Sequence, residues 1–134
     1  MKHWIGLVLL ASALVFSACA DDTSSDSNAN NAADANNANA TVHTVTTADG
    51  DMTFTPENLT IAVGDIVEFQ MTATHNAVEV SKETFDSQGL TPLEGGFNVD
   101  FDETQQVTFN TAGTYYYICQ PHVMMSMIGT ITVE

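Results

Sequence analysis

The sequence predicts an all-β fold, an antiparallel β-sandwich with Greek-key character, over residues 41–134. Three observations carry this. Short runs of β-branched and aromatic residues alternate with polar ones at period two. Clusters of Gly, Asp, Asn and Pro separate the runs. No stretch repeats apolar residues at the helical period over the length of a globular helix. The segment is long enough for one small core between two sheets.

Thr41 to Thr47 is rich in Thr and Val and reads as a strand. His43 within it reads as a surface strand histidine. Asp49-Gly50-Asp51 is a turn signal. Leu59, Ile61 and Val63 then alternate with Thr60 and Ala62, and Gly64-Asp65 turns the chain. Val67, Phe69 and Met71 follow on one face, with Glu68 and Gln70 on the other. This pattern predicts a hairpin with one buried face. Thr72-Ala73-Thr74 leads to His75, and Ala77 to Val80 is strand-like. From Ser81 to Gly96 the periodicity fails. Gly89, Pro92, Gly95 and Gly96 mark a long connection there, with room for one short helical turn. Phe97, Val99 and Phe101 alternate, as do Val107 and Phe109. Asn110 to Gly113 turns into a strand ending at Cys119, and Ile128 to Val133 is the last strand.

The chain before residue 41 has a different character. Residues 1–18 read as an export signal: Lys2 supplies a positive start and Ile5 to Phe16 a short apolar stretch. Phe16-Ser17-Ala18-Cys19 looks like a bacterial lipobox, with Cys19 lipidated and becoming the new N-terminus. The competing reading is an ordinary cut after Ala18-Cys19-Ala20. Lipidation is favoured because a tether follows directly. Residues 21–40 hold six Asn, six Ala, four Asp, three Ser and one Thr. Such a composition cannot bury enough apolar surface to offset its ordering entropy. Residues 19–40 therefore read as a disordered tether with an r.m.s. reach of about 25 Å.

Charge narrows the partners. The chain has two Lys, no Arg and 17 acids, a formal net charge of -15. Nucleic acid is excluded, because its phosphates need basic contacts. Direct adhesion to anionic lipid is disfavoured, which leaves membrane contact through a lipid anchor only. Cys19 and Cys119 are the two cysteines. A disulfide between them would consume the one thiol near the histidines, so none is expected.

The stretch from Cys119 to Met127 places a thiol, an imidazole at His122 and several thioethers within nine residues, and His75 adds a second imidazole. Two His, one Cys and a weak axial Met make the donor set of a blue-copper electron-transfer site. Zinc usually takes four strong ligands, and a thioether is a poor fourth. A loop joining two strands at the end of a sandwich can turn these side chains to one point. Met124, Met125 and Met127 all stand in the loop as axial candidates.

The run Tyr115-x-Tyr117-x-Cys119-x-Pro121-His122-x-x-x-x-Met127-x-Gly129 resembles the copper loop of the plastocyanin and pseudoazurin branch of the cupredoxins. His75-Asn76-x-Val78 is similar to that family's first-histidine motif. Phe54-x-Pro56-x-x-Leu59-x-Ile61-x-x-Gly64-Asp65-x-Val67-x-Phe69 resembles its N-terminal strands. The resemblance implies a cupredoxin-like copper domain over 41–134 that holds one copper ion cycling between Cu(I) and Cu(II). It implies His75, Cys119 and His122 as equatorial ligands and Met127 as the axial one, since the family's axial Met stands in the form Met-x-Gly before the last strand. It implies that Asn76 ties the two ligand loops together, that His122 is the electron port, and that Pro121, Val123, Met124 and Met125 form an apolar partner-contact patch around it. Plant-type plastocyanins carry a Tyr just before the copper Cys as a remote second port. Ile118 stands there instead, which favours His122.

The expected function is a monomeric carrier of single electrons between exported redox proteins, such as c-type cytochromes or a terminal oxidase or reductase. It would be lipid-anchored to a bacterial membrane, periplasmic or at the cell surface. A second reading is a module that scavenges or delivers copper. An enzyme is not expected: Cys119 and His122 could make a thiol–imidazole pair, but no oxyanion loop or third orienting residue accompanies them.

Overall fold

The computed structural model describes residues 39–134. The export signal, Cys19 and most of the tether lie outside the described residues. Among the described residues eight strands form two sheets. They are β1 (Val42–Thr46), β2 (Asn58–Ile61), β3 (Ile66–Gln70), β4 (Ala77–Val80), β5 (Asn98–Val99), β6 (Thr104–Thr108), β7 (Gly113–Ile118) and β8 (Ile128–Val133). One sheet has the order β1-β3-β6, the other β2-β8-β7-β4-β5. A short helix, α1 (Lys82–Asp86), follows β4, and a 3-10 turn, Gln120–Met125, joins β7 to β8.

The predicted sandwich holds, with two corrections. Leu59–Ile61 and Val67–Met71 do not form a hairpin. Strand β2 pairs with β8, whereas β3 pairs with β1 and β6 in the opposite sheet. The Gly64-Asp65 turn is an arch between sheets, closed by Asp65 N–H to the Ala62 carbonyl and Ala62 N–H to Asp65 Oδ2, both at 3.1 Å. Period two places side chains on a face and says nothing of the sheet that face belongs to. Because the chain crosses by arches, the β1–β3 and β2–β8 pairs are parallel. The other strand pairs are antiparallel.

The inward alternation of Val67, Phe69, Met71, Ile131 and Val133 is as read: all five are buried. Val63 and Phe101 depart from it, at 48% and 42% exposure. Each lies two residues beyond its strand's end, where the pleat no longer dictates direction. Strand β4 is buried on both faces. Ala77 faces the main core, while Val80 joins Ile118 and Val123 in an outer cluster packed by Phe85, Tyr116 and Ile128. Helix α1 supplies Phe85, so the aperiodic stretch roofs the outer face of the second sheet. Ser81 starts the helix by accepting the Thr84 N–H at 3.1 Å.

His43 is more engaged than a surface histidine. Its Nε2 lies 2.9 Å from Asp65 Oδ2. Asp65 also accepts the Thr41 N–H at 2.9 Å. That backbone bond first, then His43, holds its carboxyl below the usual carboxylate range. The arch and the start of β1 are thereby fastened to one side chain.

Gly129 is the tightest point of the main core. A Cβ there would fall within the Tyr117 ring, which packs across it from the neighbouring strand. Tyr117 is itself wedged against Phe54 and Phe69, with ring centroids at 4.8 and 5.5 Å. Gly129→Ala should therefore destabilise the domain by about 1–3 kcal/mol, the usual cost of overpacking. Denaturant unfolding checks this; an unchanged midpoint would mean that the ring can move aside.

Candidate metal centre

Pairing of β4 with β7 aligns Val78 with Ile118, so the residues just beyond, His75 and Cys119, meet at one end of the sandwich. The His75 N–H closes a turn on the Thr72 carbonyl at 3.1 Å. After Cys119 the chain enters the 3-10 turn with Pro121 near its start. The His122 N–H then bonds the Cys119 carbonyl at 3.1 Å, and the Met127 N–H bonds the His122 carbonyl at 3.2 Å. The Cys119 N–H returns to the Met127 carbonyl at 3.0 Å, closing the loop on itself. Ser126 takes the left-handed conformation, φ 62°, that lets the chain reverse into β8.

These bonds bring the predicted donors together. Cys119 Sγ lies 3.7 Å from His75 Nδ1 and 3.4 Å from His122 Nδ1, and the two Nδ1 atoms are 3.1 Å apart. A point equidistant from the three lies about 2 Å from each, the span of a metal bond to imidazole or thiolate. Met127 lies near them. His75, Cys119 and Met127 are fully buried, and His122 is half-buried. Two imidazole nitrogens and a sulfur turned to one point, away from water, suit a soft or borderline cation. Among the described residues this is the one cluster of three or more His, Cys, Asp or Glu side chains able to hold a metal.

The electrostatics agree with that use. Burial, and then the neighbouring His122, push the His75 pKa down. The ring therefore stays neutral and keeps its lone pair for a metal. The Ala48 backbone and the carboxylates of Asp49 and Asp51 oppose that shift. Burial pushes the Cys119 thiol up, against the backbone N–H groups of Asn76 and His122, which favour the thiolate. Hydrogen bonds of that kind at the sulfur tune a copper site.

Asn76 stands where the motif reading put it, and its partner is one the sequence did not reveal. Its Oδ1 accepts the Gln120 N–H at 2.9 Å, and its Nδ2 donates to Gln120 Oε1 at 3.0 Å. Gln120 Nε2 in turn donates to the Leu90 carbonyl at 3.3 Å. A second latch was also missed. Thr72 N–H donates to Thr47 Oγ1 at 3.0 Å and Thr74 Oγ1 to Asp49 Oδ1 at 3.3 Å, so the β1–β2 turn braces the His75 turn. Threonines in turns carry no pattern that would announce these pairs.

One of the patch residues is corrected. Met124 and Met125 are 78% and 54% exposed and Pro121 is exposed, but Val123 is 2% exposed. The 3-10 turn points Val123 back into the outer cluster, against Val80 and Ile118. It therefore offers no surface to a partner. Ile118 is fully buried in the same cluster.

Comparison with known proteins gives a consistent result. The family described as copper binding proteins, plastocyanin/azurin family, matches residues 40–134. Plastocyanin from Solanum crispum is 34% identical over 92 residues, which cover 64% of this chain and 92% of that protein. Plastocyanin from Capsella bursa-pastoris is 32% identical over 98 residues, with the same coverage of 64% and 92%. Among solved structures, a Sinorhizobium pseudoazurin aligns with a TM-score of 0.53 at 30% identity, over 69% of this chain and 73% of that one. Plastocyanin of the fern Dryopteris crassirhizoma aligns at 0.50 and 26% identity, over 69% of this chain and 100% of that one. Family membership brings one copper ion and electron carriage rather than enzymatic catalysis. By its fold, its donor set and these matches, the chain belongs to the plastocyanin/azurin family of copper binding proteins.

Proposed function

We propose that the protein is an exported, lipid-anchored carrier that passes single electrons between redox proteins. Copper is held by His75, Cys119 and His122, with Met127 as the weak axial ligand. The single observation that carries this is the convergence of the two Nδ1 atoms and the sulfur, 3.1 to 3.7 Å apart. Thiolate suits Cu(I) and imidazole suits Cu(II), so the mixed set serves both states without exchanging ligands. His122 is the electron port, since its ring alone among the donors reaches the surface. Met124, Met125 and Pro121 form the apolar rim around it, small enough for a short-lived encounter. Partners are c-type cytochromes or a terminal oxidase or reductase, and the carrier works as a monomer. Delivery of copper is the weaker reading, because buried donors in a closed hydrogen-bonded loop oppose release. Among the described residues no helix is long and apolar enough to cross a membrane. Attachment rests instead on Cys19, with residues 21–40 as the tether.

The ligand set is tested with the purified, copper-loaded protein. An intense visible band near roughly 600 nm is expected of this site class. Cys119→Ser should abolish it. Met127→Leu should keep it and raise the reduction potential, whereas Met125→Leu should change neither. If Met125→Leu shifts the potential and Met127→Leu does not, the axial assignment is wrong.

The port is tested on the rim. Met124→Asp should slow electron exchange with a cytochrome several-fold and leave the visible band in place. Equal rates would put the port elsewhere.

The anchor is tested by fractionation. Full-length protein should partition with membranes and the Cys19→Ala variant should not. Mass spectrometry showing an unmodified N-terminus at Asp21 would rule the anchor out.

A further inference from the structure

Glu79 occupies a position where the strand pattern asks for an apolar residue. In β4 it shares a face with Ala77, which belongs to the main core. Glu79 is 9% exposed. Its Oε2 accepts the Phe97 N–H at 3.0 Å, and among the described residues no donor serves Oε1. A cleft of about 270 Å³ opens beside the carboxyl, walled by Gly96, Phe97, Phe109 and Tyr115. A Cβ on Gly96 would meet Glu79 Cβ and Oε2 at 3.0 Å, so glycine keeps the approach to the carboxyl clear.

Nothing nearby neutralises this carboxyl. Across the β4–β7 pair stands Tyr117, whose burial holds its hydroxyl proton firmly. The Tyr115 hydroxyl donates to the Thr111 carbonyl instead. Strands β5 and β6 carry no titratable side chain. In the turn between Pro92 and Phe97, Glu94 is exposed. Along the chain the nearest titratable groups are Lys82, whose ammonium pairs with Asp86 at 2.6 Å, and then His75 and Glu83. Burial accordingly pushes the Glu79 carboxyl above its ordinary value, opposed only by the Phe97 N–H.

We infer that Glu79 couples a proton to the electron this protein carries. When the site accepts one electron from its donor, the Glu79 carboxylate becomes more basic. Near its pKa, Oε1 then takes a proton from water in the cleft in up to about half of the molecules, as a tenfold affinity change allows. On reoxidation the electron leaves for the acceptor and the proton returns to water. The inference rests on the copper reading of His75, Cys119, His122 and Met127. Reduction removes one positive charge from a site whose ligand His75 stands four residues before Glu79, in the turn that leads into β4, no more than roughly 13 Å away by extended-strand rise. At an effective dielectric constant near 20, this changes the proton affinity of the carboxyl about tenfold. The sign follows from charge. Ionised Glu79 favours the more positive, oxidised site, so the potential falls as pH rises through the Glu79 pKa values of the two states. By reciprocity the ratio of reduced to oxidised protein changes by the same tenfold, about 59 mV for one electron. The window lies above the ordinary glutamate range, because burial raises the carboxyl in both states.

The test uses the copper-loaded full chain across roughly pH 4 to 8. Two quantities are read: the potential, and the redox-difference infrared spectrum in the protonated-carboxyl region. Wild type should show the fall in potential, and a carboxyl band that grows on reduction within the same window. Glu79→Gln keeps an acceptor for the Phe97 N–H, so the fold is retained. It should lose both signals while its visible copper band stays unchanged. The same fall and the same band in Glu79→Gln would overturn the inference, as would a wild type that shows neither. In either case an intact visible band shows that the copper reading stands; a wild type without that band overturns both.

Discussion

The antiparallel pairing of β4 with β7 is the constraint on which the site depends. Its register sets Val78 against Ile118, and the two chains run on past the last ladder bond toward the same end of the sandwich. Backbone pairing stops there, and the Asn76 amide takes over, bonding both the backbone and the side chain of Gln120. Two residues far apart in sequence are thus held in register by side-chain bonds where the sheet ends. A one-residue slip would turn Tyr117 and Cys119 outward and Ile118 inward. The Gly129–Tyr117 contact opposes such a slip, because the ring fits over a residue with no side chain.

The two apolar clusters divide the work around this pairing. The main core fixes the strands and carries Cys119 and Met127 among its members. The outer cluster takes Val123 from the middle of the 3-10 turn and packs it on Val80 and Ile118. The turn is therefore anchored at both ends by backbone bonds and in its middle by an apolar plug. What it leaves outside is Pro121, an edge of His122, Met124 and Met125. One short segment thereby buries the donors and presents a small apolar surface above them.

Much of this was legible in the residues because the relevant signals are local. Cys119, Pro121, His122, Met127 and Gly129 lie within one turn and its flanks, where a single motif carries the family resemblance that marks them out. The inward faces of β3 and β8 followed from period two, which holds while a strand stays paired. The pairing of β2 with β8 and of β3 with β1 did not follow, since alternation specifies a face and not a neighbour. The direction of Val123 was also beyond reach. In a loop assumed irregular, adjacent apolar residues look alike, whereas a 3-10 turn sends Val123 inward and Met124 outward. Gln120, Thr47 and Thr72 carry no signal of their own, because their roles exist only once two distant turns touch.

The bonds that place the donors do not require a metal. The Cys119–Met127 backbone bond, the His122 turn, the Asn76–Gln120 pair and the Thr47–Thr72 latch all join protein groups to each other. With one proton on either Nδ1, two neutral imidazoles hydrogen-bond at 3.1 Å, and a cation between them would take that proton's place. The bonds outside the donor set hold the rings there in either case. Donors fixed by bonds independent of the metal have little freedom to rearrange when its charge changes. Electron transfer is fast when little rearrangement is needed, so the hydrogen bonds outside the donor set are as much a part of the carrier as the donors themselves.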